Sequence, residues 1–371
     1  MIREQFIKKE EVGNFAKISD ALPNIHVVGV QAMPQDVASH SSILHALDAV
    51  FNNTNKHVFF SPENVVETKA LLDIARVVSG DDYIGKEPIG ICQLSPISPL
   101  TWSDGTAEAV IEVARSGLPL CLLPQPYSGV TAPITLAGTL TINNTEILSG
   151  IVMAQLVNEG CPIVYGAAWT TFEMNKGTVL IGTPERCILS VAGAQMAKYY
   201  KLPSHCISFD SDANNYDEQN GFEKIFNTIA NLQAGVNLLM NAGMFATGLT
   251  VSYEQLIVDH EIATFVYRYI EGMRVDDDTI AKDVIKKVGQ HKDFMMEPHT
   301  LKYMRSGEHV SYKVSNRDVY DIWRNNGKPS ITDNAAAVAK DIISTHKPRQ
   351  LSDLKKEKIS RIISEFENKH K

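Results

Sequence analysis

The chain has 371 residues, 44% of them apolar and 21% charged, and a formal net charge of -8. It is long enough for one large core or two domains, no stretch approaches the roughly 20 unbroken apolar residues of a membrane helix, and the polar N-terminus is unlike a signal peptide. The acidic balance argues against a broad nucleic-acid surface, and five cysteines without a C-x-x-C pair indicate buried thiols and a cytoplasmic protein.

Short apolar runs alternate along the chain with segments of helical periodicity. Seven runs, each followed by a helix, are predicted as buried strands: residues 25–30, 56–60, 89–94, 119–123, 161–165, 205–209 and 238–245. Helices are predicted up to about residue 21 and over residues 36–51, 63–79, 107–116, 145–159, 184–200, 222–234 and 253–273. In the fourth unit, Asn144 or Thr145 is expected to cap the helix and Gly160 to end it.

This repeated strand-helix order predicts a TIM-type α/β barrel over residues 1–274. An open Rossmann sheet is the alternative, but no G-x-G-x-x-G motif follows the first strand. An eighth strand is not evident: it either precedes residue 25, lies in the C-terminal part, or is absent.

A helical extension packed on the barrel is predicted over residues 275–371, with helices at 279–288, 333–345 and 351–371. The last of these is amphipathic, and both core packing and contact with another copy of the chain remain open. Charges of both signs on its polar face argue against a membrane surface. We expect a homo-oligomer.

The loops that follow barrel strands carry the active site in this fold. Here they are rich in aromatic, amide and hydroxyl side chains and nearly free of Lys and Arg, which suits a cationic ligand better than phosphate. Aromatic side chains that simply fill the barrel top are the alternative. The loop residues are Gln31, Met33, Gln93, Ser95, Ser98, Trp102, Gln125, Tyr127, Ser128, Thr131, Trp169, Phe172, Glu173, Asp210, Asp212, Asp217, Gln219, Met244, Phe245 and Thr250.

Metal-binding and nucleophile motifs are not evident in the sequence. It contains no H-E-x-x-H, and its cysteines and histidines lack zinc spacing, so no metal site is predicted. His299, in the segment EPHT, is the histidine to watch, although a lone histidine is commonly structural.

Seven segments of the chain form a distinctive set: ALPNIHVVG (21–29), SPISPL (95–100), SGVTAPITLAGTL (128–140), EILSGIVMAQLVNEGCPIVYG (146–166), DSDANNYDEQNGFEK (210–224), EPHTLKYMRSGE (297–308) and NRDVYDIWRNNG (316–327). These segments resemble the trimethylamine methyltransferase family of cobamide-dependent amine demethylases. The resemblance covers nearly the whole chain from about residue 14. It also implies that the chain begins inside the family pattern, which would account for the missing eighth strand.

The resemblance implies a TIM barrel that passes a methyl group from a methylated amine to the Co(I) corrinoid of a separate protein, with no cofactor bound directly by this chain. Trimethylamine enzymes of the family carry pyrrolysine, whereas this sequence has only the twenty standard residues. The resemblance therefore favours the branch that uses glycine betaine and related quaternary amines. With the loop positions, it predicts substrate binding by Trp102, Gln125, Tyr127, Trp169, Phe172, Asp210, Asp217, Gln219, Phe245 and His299.

Two other functions stay open from the sequence. A barrel aldolase or lyase would need a Schiff-base lysine or a metal at the strand ends, and no predicted strand ends in lysine. A relative that binds the methylated amine without catalysis is the third possibility.

Overall fold

The computed structural model of the protein describes residues 6–80 and 89–370. Residues 1–5 and 371, at the ends of the first and last predicted helices, lie outside the described part. The helices are α1 (Lys9–Ala21), α2 (Ser42–Phe51), α3 (Val65–Ser79), α4 (Asp104–Ser116), α5 (Leu136–Val157), α6 (Pro184–Tyr199), α7 (Glu218–Gln233), α8 (Tyr253–Glu271), α9 (Asp277–Ile280), α10 (Lys282–Val288), α11 (Pro298–Met304), α12 (Tyr320–Asn325), α13 (Ile331–Thr345) and α14 (Asp353–Lys369).

The strands are short, and all seven predicted ones are present. They are β1 (Val27–Gly29), β2 (His57–Phe60), β3 (Gly90–Leu94), β4 (Leu120–Leu122), β5 (Ile163–Tyr165), β6 (Thr171–Glu173), β7 (Thr178–Leu180), β8 (His205–Ile207), β9 (Leu238–Met240), β10 (Met244–Phe245) and β11 (Thr250–Val251). Two antiparallel hairpins, β6–β7 and β10–β11, were not predicted, because strands of two or three residues give no periodic signal. Residues 241–243, predicted within the seventh strand, form the turn before β10.

Parallel pairing follows the order of the chain. Strands β1 to β5 form one parallel sheet, a parallel bridge joins Tyr165 to Ser204, and β8 pairs in parallel with β9. Glycine permits one of these contacts: a Cβ on Gly90 would lie 2.2 Å from the carbonyl oxygen of Val58 on β2. The alternation of strand and helix therefore produces the neighbour order of a barrel rather than the reversed order of a Rossmann sheet.

The parallel strands curve around a common interior. One apolar cluster collects at least one side chain from each of the seven strands: Val27, Phe59, Ile91, Cys121, Val164, Ile207, Leu238 and Met240. A second, larger cluster lies between the outer face of β1–β5 and the surrounding helices. This arrangement of an inner core and an outer helix layer is that of a TIM-type barrel.

Among the described residues, no hydrogen-bonded strand pairing connects β9 to β1. The barrel therefore has a gap between these two strands, here called the seam. A separate apolar cluster covers the seam, with Phe15 and Leu22 on the α1 side, Leu256 on α8, and Ala335 and Ala339 on α13. Helices that are far apart in the sequence therefore pack together over the gap between β1 and β9.

Of the C-terminal helices, α13 and α14 contribute buried side chains to the apolar clusters. The last helix, α14, contributes Ile359, Ile363 and Phe366 to the main core, which confirms the core-packing interpretation of its apolar stripe. Helices α9 to α12 contain almost no buried side chains. No helix of the described residues is both long and apolar enough to cross a membrane.

Several predicted helix starts are wrong. The helix predicted from residue 36 begins at Ser42, and the helix predicted from residue 222 begins at Glu218. The largest difference is at the helix of the fourth predicted unit, α5, which begins at Leu136 after Thr135 rather than at Asn144 or Thr145 and ends at Val157, before Gly160. Glu146, on this helix, is buried, and its carboxylate accepts hydrogen bonds from the Ser98 hydroxyl (2.9 Å) and the Leu100 backbone N–H (2.7 Å). The longer helix therefore fixes the loop that follows β3.

Candidate functional site

A cavity of about 220 Å³ lies inside the barrel towards the carboxyl ends of the strands. Its wall is formed in part by apolar side chains of the barrel interior, among them Phe59, Leu123 and Ile207. The polar side chains that line it are Gln31, Ser61, Gln93, Gln125, His205 and Asn241. Gln125 is exposed, so the cavity reaches the surface at the end where the strands terminate.

The lining contains no Lys, Arg, Asp or Glu among the described residues. Four of its six polar side chains are carboxamides, which carry both N–H donors and a carbonyl acceptor but no net charge. The hydrogen bonds found in the described part of the chain leave the side chains of Gln31 and Gln125 without a partner. These two carboxamides are therefore available to a ligand.

Glycine makes room for one of these amides. A Cβ on Gly29, the last residue of β1, would lie 2.6 Å from the side-chain nitrogen of Gln31. A larger residue at position 29 would displace this carboxamide from the cavity.

His205 forms part of the cavity wall as a neutral imidazole. It is 2% exposed, and its ring stacks on Phe59 with centroids 5.5 Å apart and planes 13° apart. Burial, together with the nearby positive charge of Arg186, lowers the pKa of His205 to about 3. Because a proton at this site is so costly, His205 offers an aromatic face rather than a cation.

Asp210 lies just behind the lining. Its carboxylate accepts a hydrogen bond from the Asn241 side-chain amide (3.1 Å) and one from the Ser211 backbone N–H (2.8 Å). Burial raises the pKa of Asp210, and the positive charge of Lys224 opposes that rise. Asp210 therefore orients Asn241, which adopts a left-handed φ of 75° in the turn after β9.

A buried ion pair supports this edge of the cavity. The ammonium of Lys224 lies 2.8 Å from Asp259 and donates to the carbonyl oxygens of Phe209 (2.8 Å) and Met244 (2.6 Å). Both charged side chains are fully buried. The pair therefore ties the end of β8 and the hairpin β10–β11 to the helices behind them.

The remaining predicted residues of the loop after β8 contact the protein itself. The carboxylate of Asp217 caps α7 by accepting from the Asn220 backbone N–H (3.1 Å). Gln219 is exposed and donates to Glu223 on the same helix (2.8 Å). These contacts give both side chains a structural role, as is common for a cap and an i, i+4 pair.

Two of the predicted aromatic residues lie in the helix layer rather than the cavity, which corrects the expected aromatic cage. Trp169 is fully buried against α6, where a Cβ on Gly193 would lie 2.3 Å from its ring. Trp102 packs beside the outer core and donates its indole N–H to the Ser149 hydroxyl on α5 (2.9 Å). These two tryptophans therefore pack against apolar side chains and do not contact the cavity, which agrees with the alternative that the aromatic residues serve packing.

The other four predicted aromatic or histidine side chains are dispersed. Phe245 is fully buried and packs on Tyr216, with ring centroids 5.1 Å apart. Tyr127 and Phe172 are partly buried, and neither lines the cavity; Tyr127 forms a parallel bridge with Thr170. His299 lies on α11 and contacts the backbone carbonyl of Asp278 (3.0 Å), within the C-terminal extension.

The structure therefore brings Gln125 to the cavity, with Asp210 behind it, and separates the other eight predicted residues from its wall. Gln31 and Gln93 were among the strand-end loop residues but not in the predicted site. Ser61, His205 and Asn241 were missed. Alternation along β8 could have found His205, because it lies two residues before the inward-facing Ile207.

Taken together, the observations define a protein of the TIM-barrel class with a small, uncharged, amide-lined cavity at the carboxyl ends of its strands. A family model described as "Trimethylamine methyltransferase (MTTB)" matches residues 6–369. The chain belongs to the trimethylamine methyltransferase family, and the resemblance predicted from the sequence is confirmed.

Curated relatives agree with this assignment. A trimethylamine methyltransferase MttB of Desulfitobacterium hafniense is 33% identical over 363 residues, which cover 98% of this chain and 73% of the relative. A glycine betaine methyltransferase of the same species is 32% identical over 317 residues, covering 85% of this chain and 66% of that protein.

A solved structure supports the fold. The monomethylamine methyltransferase MtmB of Methanosarcina barkeri matches with a TM-score of 0.52 at 13% identity, over 91% of this chain and 70% of that one. The predicted α/β barrel class is confirmed.

Proposed function

We propose that this chain transfers a methyl group from a small quaternary methylated amine, of the glycine betaine kind, to the corrinoid of a separate protein. The observation that carries the proposal is membership of the methyltransferase family together with relatives named for trimethylamine and for glycine betaine. The uncharged cavity supports it, because this lining supplies neither the lysine of a Schiff-base aldolase nor the cations of a phosphate site.

The main contribution that the reaction requires from this protein is to position the methylated amine. The C–N bond breaks with its electron pair kept by nitrogen, so a quaternary ammonium leaves as a neutral tertiary amine and no proton has to be supplied. The partner's corrinoid, as Co(I), would supply the nucleophile that accepts the methyl group. This chain holds and orients the amine and excludes water around it, and such positioning lowers the barrier substantially.

The residues present fit that division of labour. The cavity opens at the strand ends, where a separate protein can approach, and its wall offers amides and two stacked aromatic rings to the amine. The apolar part of the wall, including Met240, is suited to surrounding N-methyl groups.

A methyl-transfer assay tests the proposal. The protein is mixed with a Co(I) corrinoid protein and a panel of methyl-labelled amines that includes glycine betaine and trimethylamine. We expect label on the corrinoid protein and release of the demethylated amine with at least one quaternary substrate. If no amine supports transfer, the proposal is wrong.

A cavity-filling variant connects the activity to this site. Ser61→Trp, which places an indole at the cavity wall, should reduce transfer by at least about 100-fold, because the substrate loses its room. Ser364→Trp, at an exposed position of α14, is the matched control and should leave transfer unchanged.

A further inference from the structure

The segment that follows α8 is almost entirely exposed. Residues 273–304, here called the distal surface, include α9, α10 and α11 and bury a single side chain, that of Val288. Such short helices are not stable by themselves in water, so they depend on packing against another surface. The described part of this chain supplies little of that packing.

The distal surface carries an apolar patch. Contacts between Lys287 and Glu297 (2.7 Å) and between His299 and the carbonyl oxygen of Asp278 (3.0 Å) hold its helices together. Clusters of exposed apolar groups mark protein interfaces, and methionine is enriched there because its flexible side chain adapts to a partner. Six large apolar side chains of this surface are more than half exposed, four of them methionines: Met273, Val275, Ile285, Met295, Met296 and Met304.

The distal surface begins at the far end of α8 from the cavity. Helix α8 starts beside the cavity edge, where the backbone N–H of Ser252 donates to the carbonyl oxygen of Gly243 (3.0 Å), two residues after Asn241. Its 19 residues rise about 28 Å, and Met273 follows its end. A protein docked at that end therefore leaves the opening of the cavity free.

The charges of the distal surface favour a second copy of this chain as its partner. The whole chain has a net charge of -8, so two copies repel each other over most of their surfaces. Residues 273–304 contain six Lys or Arg and six Asp or Glu, and thus have no net charge. At this face two acidic molecules can meet without a large repulsion.

The two signs are also separated along the segment. Three aspartates occupy residues 276–278, and several lysines follow between residues 282 and 292. Among the described residues, neither Asp277 nor the lysines Lys282, Lys286 and Lys292 have an ion-pair partner, whereas Asp276 and Asp278 do. In an isologous contact one patch faces its own copy, so the aspartates of each copy can face the lysines of the other.

We propose that the distal surface forms a two-fold symmetric contact with a second copy of this chain. The apolar side chains form the centre of the contact, and the aspartates and lysines without partners lie opposite each other around it. This contact does not depend on methyl transfer. It leaves the cavity of each copy open to the corrinoid protein of the proposed function.

Size-exclusion chromatography with light scattering tests the contact. At about 10 µM the unmodified protein should have at least twice the 41.0 kDa mass of one chain. Met295→Asp/Met296→Asp places charges without partners in the contact and should halve the measured mass. Both methionines are exposed in the single copy, at 74% and 83%, so the variant is expected to fold.

The matched control is an equally exposed apolar residue elsewhere. Leu156→Asp, at a position 83% exposed on α5, should leave the mass unchanged. A mass of 41.0 kDa for the unmodified protein, or a mass that the double methionine variant does not change, would overturn the inference.

Charge reversal tests the two-fold symmetry. In a contact of two identical copies, Asp277→Lys or Lys282→Glu/Lys286→Glu places like charges opposite each other, so each variant alone should dissociate at least about tenfold more readily in sedimentation equilibrium. An equimolar mixture of the two variants brings opposite charges together again and should recover the affinity of the unmodified protein. A mixture that stays as weak as its components contradicts the symmetric arrangement.

A different occupant would give a different result. If the purified protein is a monomer, and Met295→Asp/Met296→Asp abolishes its binding to a corrinoid protein, the distal surface belongs to that partner and the inference is wrong. Failure of methyl transfer in a protein with the expected mass would refute the proposed function and leave this inference standing.

Discussion

The two halves of the barrel are stabilised by different chemistry. Behind β1 to β5 the helices pack on an apolar core that includes Leu44, Leu47 and Leu71. Behind β8 and β9 an apolar cluster around Trp169 and Leu189 is accompanied by a set of fully buried polar side chains, which makes this the more polar half: Arg186, Lys224, Asn227, Asn231 and Asp259. The apolar half supplies non-directional packing, whereas the polar half fixes the directions of backbone and side-chain groups at the cavity edge.

This difference has a functional meaning. The polar layer holds the carbonyl oxygens of Phe209 and Met244, and with them the loop that carries Asp210. Directional hydrogen bonds favour a single conformation of this loop, whereas apolar packing alone would allow more than one conformation. The half of the barrel with the costly buried charges is also the half that orients Asn241.

The largest expected effect is the loss of the buried ion pair. Lys224→Met leaves the fully buried Asp259 without its cation, so the free energy of unfolding should fall by about 3–5 kcal/mol in denaturant titration. The double variant Lys224→Met/Asp259→Leu should be more stable than the single one, because no charge is left unpaired. If the free energy of unfolding of the Lys224→Met variant lay within about 1 kcal/mol of that of the unmodified protein, the proposed difference between the two halves would be wrong.

A core truncation in the apolar half should cost slightly less. Leu47→Ala removes a fully buried side chain of α2 and should lower the free energy of unfolding by about 3 kcal/mol. Leu354→Ala, at a position 62% exposed on α14, is the control and should change it by less than about 0.5 kcal/mol. Equal losses in the two variants would mean that Leu47 does not pack as described.

Overpacking separates the role of Trp169 from a role in binding. Gly193→Ala places a methyl group against the Trp169 ring and should destabilise the protein by about 2 kcal/mol while leaving betaine affinity unchanged. Gly221→Ala, on α7 with open space around the new methyl, should be neutral or stabilising in the same thermal and denaturant measurements. If the Gly193→Ala variant instead lost betaine affinity without losing stability, Trp169 would have a role in substrate binding.

The smallest expected effect depends on pH. Because the pKa of His205 is about 3 in the folded protein and near 6.5 when unfolded, the unfolded chain binds a proton between these values that the folded chain does not. Stability is therefore lost as the pH falls below about 6.5. Between pH 6.5 and 5, unmodified protein should lose about 1.5 kcal/mol more than His205→Leu, measured by denaturant titration at each pH. Parallel pH dependences would show that His205 titrates in the folded state.

The strands were predictable because buried parallel strands leave continuous apolar runs, and all seven appear. The start of α5 could not be predicted in this way, because its first turns contain Gly138, Thr139 and Asn143, which have weak helix propensity. Thr139 and Asn143 are buried, so tertiary packing extends this helix beyond what local preference indicates.

The aromatic cage failed for a related reason. Loop position alone indicated that Trp169 reaches the cavity, yet the alternation after β5 places Val164 and Ala168 inside and Ala167 and Trp169 outside. Applying the two-residue period beyond the strand end would have identified this orientation. Asn241 could not be found in this way, because its amide is oriented by Asp210 from the loop that follows β8.

The seam between β9 and β1 has a consequence for biosynthesis. Its cover joins residues near opposite ends of the chain: Lys17 donates to the carbonyl oxygen of Ile343 (2.8 Å), and His346 lies 2.8 Å from Asp20. A ribosome must release more than 300 residues before these contacts form. Until then the part of the cover that α13 provides is missing, so the seam can be closed only after residues up to 346 have been synthesised.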